Sequence, residues 1–384
     1  LEKNPPTQIA EIFKNSSWSC IHGIERWRKN CGCNSGTHPG WSQAWRRPLR
    51  GAMDWLRNKL SPNYEEEASQ YLKDPWEARN DYIEVVLDRS PDNVKKFLKK
   101  HAIKEPSRQE TTKILKLLEM QRNSMRMYTS CGWFFDEISG IENTQVMQYA
   151  AMAIQLAEEL FDVSLEPGYL KILAKAQSNV AEFENGAKVY EMSIKPAMVD
   201  LLRVGAHYAI SSLFEKYPED FKIYCYTTKS EITYRTETGR PNLVIGKAKI
   251  LSDITWDEKT ITFSVFHLGD HNINGGVRDY LGEESFLHLQ EEIKTAFEKG
   301  DIPDIVRLMD KHFENHTYSL WHLFRDEQRK VLEQILESTL GDIEVSLRQI
   351  YQKNYSTMNS LHSLHIPLPK PLSVAAEYIF NVDL

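Results

Sequence analysis

The sequence lacks most of the features that assign a class at sight. No apolar run approaches the roughly 20 residues that a membrane-spanning helix needs, so no membrane partner is expected. No secretory leader is visible, and the chain opens on Leu1 rather than Met, so it is expected to be a fragment. Gly-rich phosphate loops, nucleophile elbows, zinc-finger spacings, heptads and internal repeats are missing as well. Positive charge is short: a net charge of -7 and a pI near 6.0 argue against a general nucleic-acid binder, although the first sixty residues are locally basic. Cysteine is scarce. Five residues, an odd number at uneven spacing, suit the reduced thiols of a cytoplasmic protein better than a disulfide framework.

What remains is ordinary for a globular chain, with 41% hydrophobic and 26% charged residues. At 384 residues it exceeds the ~250–300 at which one core stops growing, which predicts packed subdomains. Helical spacing dominates from residue 48 to 217. Pro48 to Leu60 reads as a helix, Asp74-Pro75 and Ser90-Pro91 as helix starts, and Ile114, Leu117, Leu118, Met125 and Tyr128 form an apolar stripe that Gln121 alone interrupts. The period then changes. Residues 222–227, 232–236, 243–250 and 260–266 alternate or are rich in β-branched and aromatic residues, with 257–259 as a hairpin turn. From residue 283 the pattern is helical again, in segments 283–298, from about 301, 321–338 and 340–361, and a proline-stiffened connector at 366–371 precedes a last short helix. The expected fold is α+β and mainly helical, a bundle-like helical domain with a small antiparallel sheet. Its expected divisions are a Trp/Cys-rich helical domain at 1–218, the sheet at 219–281 and a helical subdomain at 282–384.

The stretch at 128–137 joins two strongly helical segments as a tight elbow. Trp133, Phe134 and Phe135 stand there beside Asp136 and Glu137, putting flat apolar faces next to carboxylates, the combination that carbohydrate sites use. The same aromatics would serve equally to plug the gap between two helices. Four of the nine tryptophans, Trp18, Trp27, Trp41 and Trp45, lie among Gly, Pro and Arg residues in an irregular segment. Trp18, His22, Arg26 and Trp27 join Trp133, Asp136 and Glu137 as candidate substrate-binding residues, and residues 18–22 are expected to meet 131–137 in space.

Cys20, His22, Cys31 and Cys33 supply enough donors for zinc, but they lack paired C-x-x-C knuckles, so no metal and no cofactor are expected. His267, Asp270 and His271 on one loop are read as local hydrogen-bond formers, and His312, His316 and His322 near Asp326 and Glu327 offer no i, i+4 His pair with a carboxylate for a metal.

Three motifs, SWSCIHG at 17–23, YTSCGWFFDEI at 128–138 and LWHLFRDEQR at 320–329, resemble an uncharacterised C-terminal domain that follows the catalytic barrel in glycoside hydrolase family 57-like bacterial proteins. The resemblance spans most of the chain. It implies a cytoplasmic accessory domain that lines the substrate cleft of an enzyme acting on α-glucan or a related oligosaccharide, with the catalytic barrel of the same protein as its partner. The barrel's histidine motif and catalytic carboxylate strands have no counterpart here, so no catalytic residue is carried over and the chain alone is expected to hydrolyse nothing. Residues 130–134 look like the family's Trp-containing cleft motif, except that Cys131 and Gly132 stand where better-known members have an acidic residue before Trp. Two alternatives come from other classes: a structural or interaction module whose Trp and Arg clusters are core, and a thiol or zinc module on Cys20, Cys31, Cys33 and Cys131.

Overall fold

The computed structural model describes residues 5, 7–8, 10–11, 13–236, 241–269, 272–314 and 316–382, with backbone alone at 338, 339 and 378–382. Helix makes up 56% of it and strand 13%, in one antiparallel sheet of six strands, so the fold is α+β and mainly helical. No helix among the described residues is long and apolar enough to cross a membrane. Contacts divide the chain into two units, Leu1–Val199 with Ser252–Asp257, and Asp200–Leu251 with Glu258–Leu384. The helix that precedes the sheet and the helices that follow it thus share one unit with it, where the sequence suggested lines after 218 and 281.

The first unit is built on α1 (Arg46–Ala68), α2 (Pro75–Asp81), α3 (Ile83–Leu87), α4 (Pro91–His101), α5 (Arg108–Arg126), α6 (Ile141–Phe161), α7 (Glu166–Leu173) and α8 (Gly186–Val189). Leu49, Met53, Leu56, Leu60, Tyr64 and Ala68 follow one another at helical spacing on α1 and are all buried. That stripe explains why α1 runs past the expected end at Leu60. Pro62 lies inside the helix and removes one backbone donor, yet Tyr64 and Ala68 continue the buried face and the Tyr64 hydroxyl donates to the Pro75 carbonyl at 2.6 Å. Both expected Pro-led starts are found, with Asp74 capping α2 and Ser90 capping α4. A capping box between Ser107 and Glu110 begins α5, which packs against α1 and α6.

The second unit starts with α9 (Leu201–Ser211), followed by β1 (Asp220–Ile223), β2 (Tyr226–Arg235), β3 (Asn242–Ser252), β4 (Glu258–His267), β5 (Ile273–Asp279), α10 (Glu283–Glu298), α11 (Ile302–Phe313), β6 (Thr317–Tyr318), α12 (Arg325–Ser363) and α13 (Lys370–Val382). The strands lie in sequence order. β4 is buried along most of its length because both faces are covered. Phe263 meets Tyr208 of α9 on one side, while Phe266 joins Leu243, Ile245, Phe286, Met309 and Phe313 on the other.

Four details depart from the sequence expectation, each for a physical reason. The segment 222–227 is not one strand, because Tyr224 takes a left-handed φ of 51° and turns the chain between β1 and β2. The β3–β4 turn lies at 253–257, with Trp256 at φ 59°, so Glu258 and Lys259 already pair in the ladder. β5 was unforeseen because its glycines resemble a loop; a Cβ at Gly276 would run into the Phe313 ring, so the strand is glycine where α11 lies close. Leu320–His322 is a 3-10 turn, and from Arg325 on the segments expected at 321–338 and 340–361 fall in the single helix α12, which Gly341 alone does not stop. His267 is buried against Phe214, while Asp270 and His271 lie outside the described residues.

His207 on α9 provides a pH test of the second unit. Its ring stacks on Phe324 at 4.3 Å and its Nδ1 accepts from the Phe324 backbone N–H at 3.3 Å. Burial, aided by the Lys330 ammonium, pulls the imidazole from 6.5 down to about 4. Below pH 6.5 the unfolded chain takes up a proton that the folded unit refuses, so the contribution is complete above 6.5 and is lost as the pH falls. We expect urea midpoints to drop with pH by the equivalent of about 3 kcal/mol at pH 4, and His207→Gln to flatten that slope.

Candidate functional site

The elbow begins where α5 ends. Residues Ser130–Trp133 form one 3-10 turn, and a Cβ at Gly132 would come within 2.7 Å of a Val146 methyl, so only glycine lets α6 lie this close. The Gly132 carbonyl accepts from Asn143 Nδ2 at 2.6 Å, which gives Asn143 a bridging role and leaves Gly140 as the N-cap of α6.

The sequence placed three substrate-binding residues on this elbow, and the structure buries all three. Trp133 is 1% exposed, and its indole N–H donates to the Arg46 carbonyl at 3.2 Å. It is a core side chain with no face open to a ligand. Asp136 accepts from the Ser35 backbone N–H at 2.9 Å and from the Ser35 hydroxyl, and it lies 3.8 Å from Arg46 Nη2. Glu137 accepts from Ser178 Oγ at 2.6 Å, from the Asn179 backbone N–H at 2.8 Å, from Asn179 Nδ2 at 2.9 Å and from Ser139. These carboxylates are occupied in tying three chain segments together.

The irregular segment does meet the elbow, as its composition suggested. The Trp18 and Phe134 rings lie 6.1 Å apart, Arg26 stands over Phe134 at 5.0 Å, and Trp27 donates from its indole N–H to the Ser130 carbonyl at 2.8 Å. Arg26 is buried, Trp27 is half-buried and Trp18 is almost fully exposed. The residue that joins the two pieces, Arg46, was noted in the sequence only as one of several arginines. It is fully buried at the start of α1, donating to the Cys33 carbonyl at 2.6 Å and the Phe135 carbonyl at 3.1 Å. Burial and the nearby Arg26 cation lower its guanidinium to about 10, against the opposing pull of Cys31, Asp136 and Cys33.

The four donors that the sequence offered for zinc converge in the structure. Cys20, His22, Cys31 and Cys33 bring one donor atom each within 4.8 Å of one another. Cys20 Sγ lies 3.7 Å from both Cys31 Sγ and Cys33 Sγ, and His22 Nδ1 lies 3.8 Å from Cys20 Sγ and 3.4 Å from Cys33 Sγ. Two short turns, rather than two C-x-x-C knuckles, present the quartet. Gly23 at φ 67° closes the Cys20–Gly23 turn, and Gly32 at φ 79° bends the chain between Cys31 and Cys33. Burial raises the Cys20 thiol, but hydrogen bonds from His22, Cys31 and Cys33 outweigh it and bring it to about 7; burial and the neighbouring sulfurs push Cys33 up to about 11.

Elsewhere, His288, Glu292 and His312 also cluster, but Lys311 Nζ lies 2.8 and 2.9 Å from the two Glu292 oxygens and already supplies the cation. His322 is engaged as a cap on Ser319.

A cleft of about 280 Å³ opens beside the elbow, between α1, α2 and α5. Tyr128, the first residue of the elbow stretch, lines it with Trp76, Arg50, Arg57, Arg79 and Gln121. Arg50 lies over the Tyr128 ring at 4.6 Å and Arg79 over Trp76 at 4.9 Å, within cation–π distance. Tyr128 donates to Asp54 at 2.7 Å, and burial together with that carboxylate holds its phenol well above the usual range. Gln121 is buried, and its Nε2 has no partner among the described residues. Its signal was in the sequence, as the single polar break in the apolar stripe of α5.

Residues 41–324 match the family model described as a domain of unknown function, DUF3536. The comparisons with curated proteins and with solved structures found no match. The family match begins at Trp41, so the cleft residues fall inside it and the four Cys/His donors precede it.

Two substitutions test the roles that the geometry assigns. Asp136→Ala leaves the Arg46 guanidinium buried without its carboxylate and should cost about 3–5 kcal/mol in denaturant unfolding. Trp133→Ala should cost about 3–5 kcal/mol as a core truncation, and it should leave ligand affinity per folded molecule unchanged when both are measured on one preparation.

Proposed function

We propose, from the premise that the chain belongs to the DUF3536 family, that it is a non-catalytic accessory domain of a glycoside hydrolase family 57-like enzyme and holds oligosaccharide in the Tyr128 cleft. In this reading α-glucan or a related saccharide is the ligand, the catalytic barrel is another part of the same protein, and the five free cysteines suit the reducing cytoplasm. The observation that carries the reading is the buried, unpartnered Gln121 amide in a cleft rich in donors. A sugar hydroxyl or ring oxygen would satisfy Nε2, and the guanidinium groups held on Tyr128 and Trp76 would donate to further hydroxyls. The cleft is at the small end of ligand pockets, which begin near 300 Å³, and so suits a short stretch of a longer chain.

The elbow supports the expectation that the chain alone hydrolyses nothing. A retaining glycosidase needs two carboxyl groups about 5–5.5 Å apart across the scissile bond, both open to substrate. Asp136 and Glu137 are instead buried and saturated by serine, asparagine and arginine donors.

Calorimetric titration with maltooligosaccharides tests the reading. Binding tighter than about 1 mM is expected, weakened about tenfold by Gln121→Leu and by Arg79→Ala, with no release of reducing sugar. No binding by the wild-type chain, or equal binding by both variants, would overturn it.

A further inference from the structure

We propose that Cys20, His22, Cys31 and Cys33 form a structural zinc site that folds residues 17–45, the segment that packs on the elbow. The inference does not depend on what occupies the cleft. For Zn–S near 2.3 Å and Zn–N near 2.0–2.1 Å, a tetrahedron has S···S edges of about 3.8 Å and S···N edges of about 3.5 Å. Four of the six edges, 3.7 and 3.7 Å between sulfurs and 3.8 and 3.4 Å from sulfur to nitrogen, fit that figure, and the other two, from Cys31 to Cys33 and to His22, are within 4.8 Å. They do not fit a disulfide, whose sulfurs are bonded at about 2.05 Å. Three thiolates and one imidazole are a soft donor set that selects zinc over magnesium or calcium, and four protein donors leave no open position for catalysis.

Charge supports the same assignment. Three thiolates around a divalent ion leave one net negative charge in a partly buried place. Arg46 donates to the Cys33 carbonyl at 2.6 Å, and the neighbouring Arg26, also buried, has no ion-pair partner among the described residues. An anionic metal centre accounts for a second buried cation there, where Asp136 offers only one carboxylate.

The segment also needs a staple. Between residues 17 and 45 its longest regular element is the three-residue turn Glu25–Trp27, and Cys20 and Trp45 are its buried apolar side chains. So little apolar burial does not balance the conformational entropy of ordering such a stretch, and a metal supplies what the core does not. On binding, each cysteine releases its thiol proton to solvent and the sulfur donates its lone pair to the ion, with no change of oxidation state.

The test starts with the metal content of the whole chain, purified without chelator. About one zinc per chain is expected, and cobalt exchanged into the site should show thiolate charge-transfer and tetrahedral absorption bands. Cys33→Ser should weaken zinc binding by more than the roughly 10–100-fold that loss of an outer partner costs, while His22→Cys, which keeps four donors, should retain the metal. Cys225→Ser, remote in sequence and outside the quartet, serves as the control for thiol loss. Chelation should expose residues 17–45 to protease while far-ultraviolet circular dichroism keeps its helical signal. The proposal is overturned if the reduced chain takes up less than about a tenth of an equivalent of zinc on titration, if Cys33→Ser binds zinc as the parent does, or if freshly purified protein carries a disulfide within the quartet.

Discussion

The first unit depends on a buried cation in a place that disfavours one. Arg46 stands at the first residue of α1, where the helix dipole is positive, and is fully buried there with Trp45 as an N-cap that offers no side-chain bond. Such a charge persists only if the surroundings supply acceptors, and here they come from two distant stretches: the Asp136 carboxylate and Phe135 carbonyl on the elbow, and the Cys33 carbonyl on the irregular segment. One guanidinium therefore sets the register between helix, elbow and segment. The carboxylates that looked like ligand contacts complete this arrangement, since Asp136 holds Ser35 and Glu137 holds Ser178 and Asn179. Their burial moves the question of ligand binding to the neighbouring cleft, where an amide is left unpaired.

The second unit answers a different constraint. A sheet with helices against both faces of β4 buries its polar side chains too: Thr262 and Ser264 lie beside Ile261, Phe263 and Val265, and His267 at the strand's end packs against Phe214. Close helix approach then selects for glycine. A Cβ at Gly205 on α9 would strike Ile261, and one at Gly276 on β5 would strike Phe313, so two glycines in the middle of regular elements mark contacts. The ring of His207 is held neutral by the same crowding that makes these glycines necessary.

Much of this was legible because periodicity reports burial directly. The stripe on α5, the Pro-led starts of α2 and α4 and the helix from Glu283 to Glu298 depend on residues within one turn of each other. The ends expected at Leu60 and Ser338 were misplaced because local spacing does not carry the packing that continues α1 and α12. The Gln121 break in an apolar stripe was visible, but its meaning was not, because Trp76 and Arg79 reach that spot from another helix.

By itself, then, the order of residues determined the element types, the α+β class and the meeting of an aromatic segment with an aromatic elbow, all consequences of local spacing and composition. Only the tertiary structure decided which polar groups are saturated and which converge. Trp133, Asp136 and Glu137 turned inward because partners 41 to 101 residues away in sequence bond to them. Cys20, His22, Cys31 and Cys33 became a quartet because two left-handed glycine turns, facing one another across a short loop, aim four donors at a common point. Side-chain convergence depends on backbone direction at each turn, a quantity that spacing along the chain does not carry.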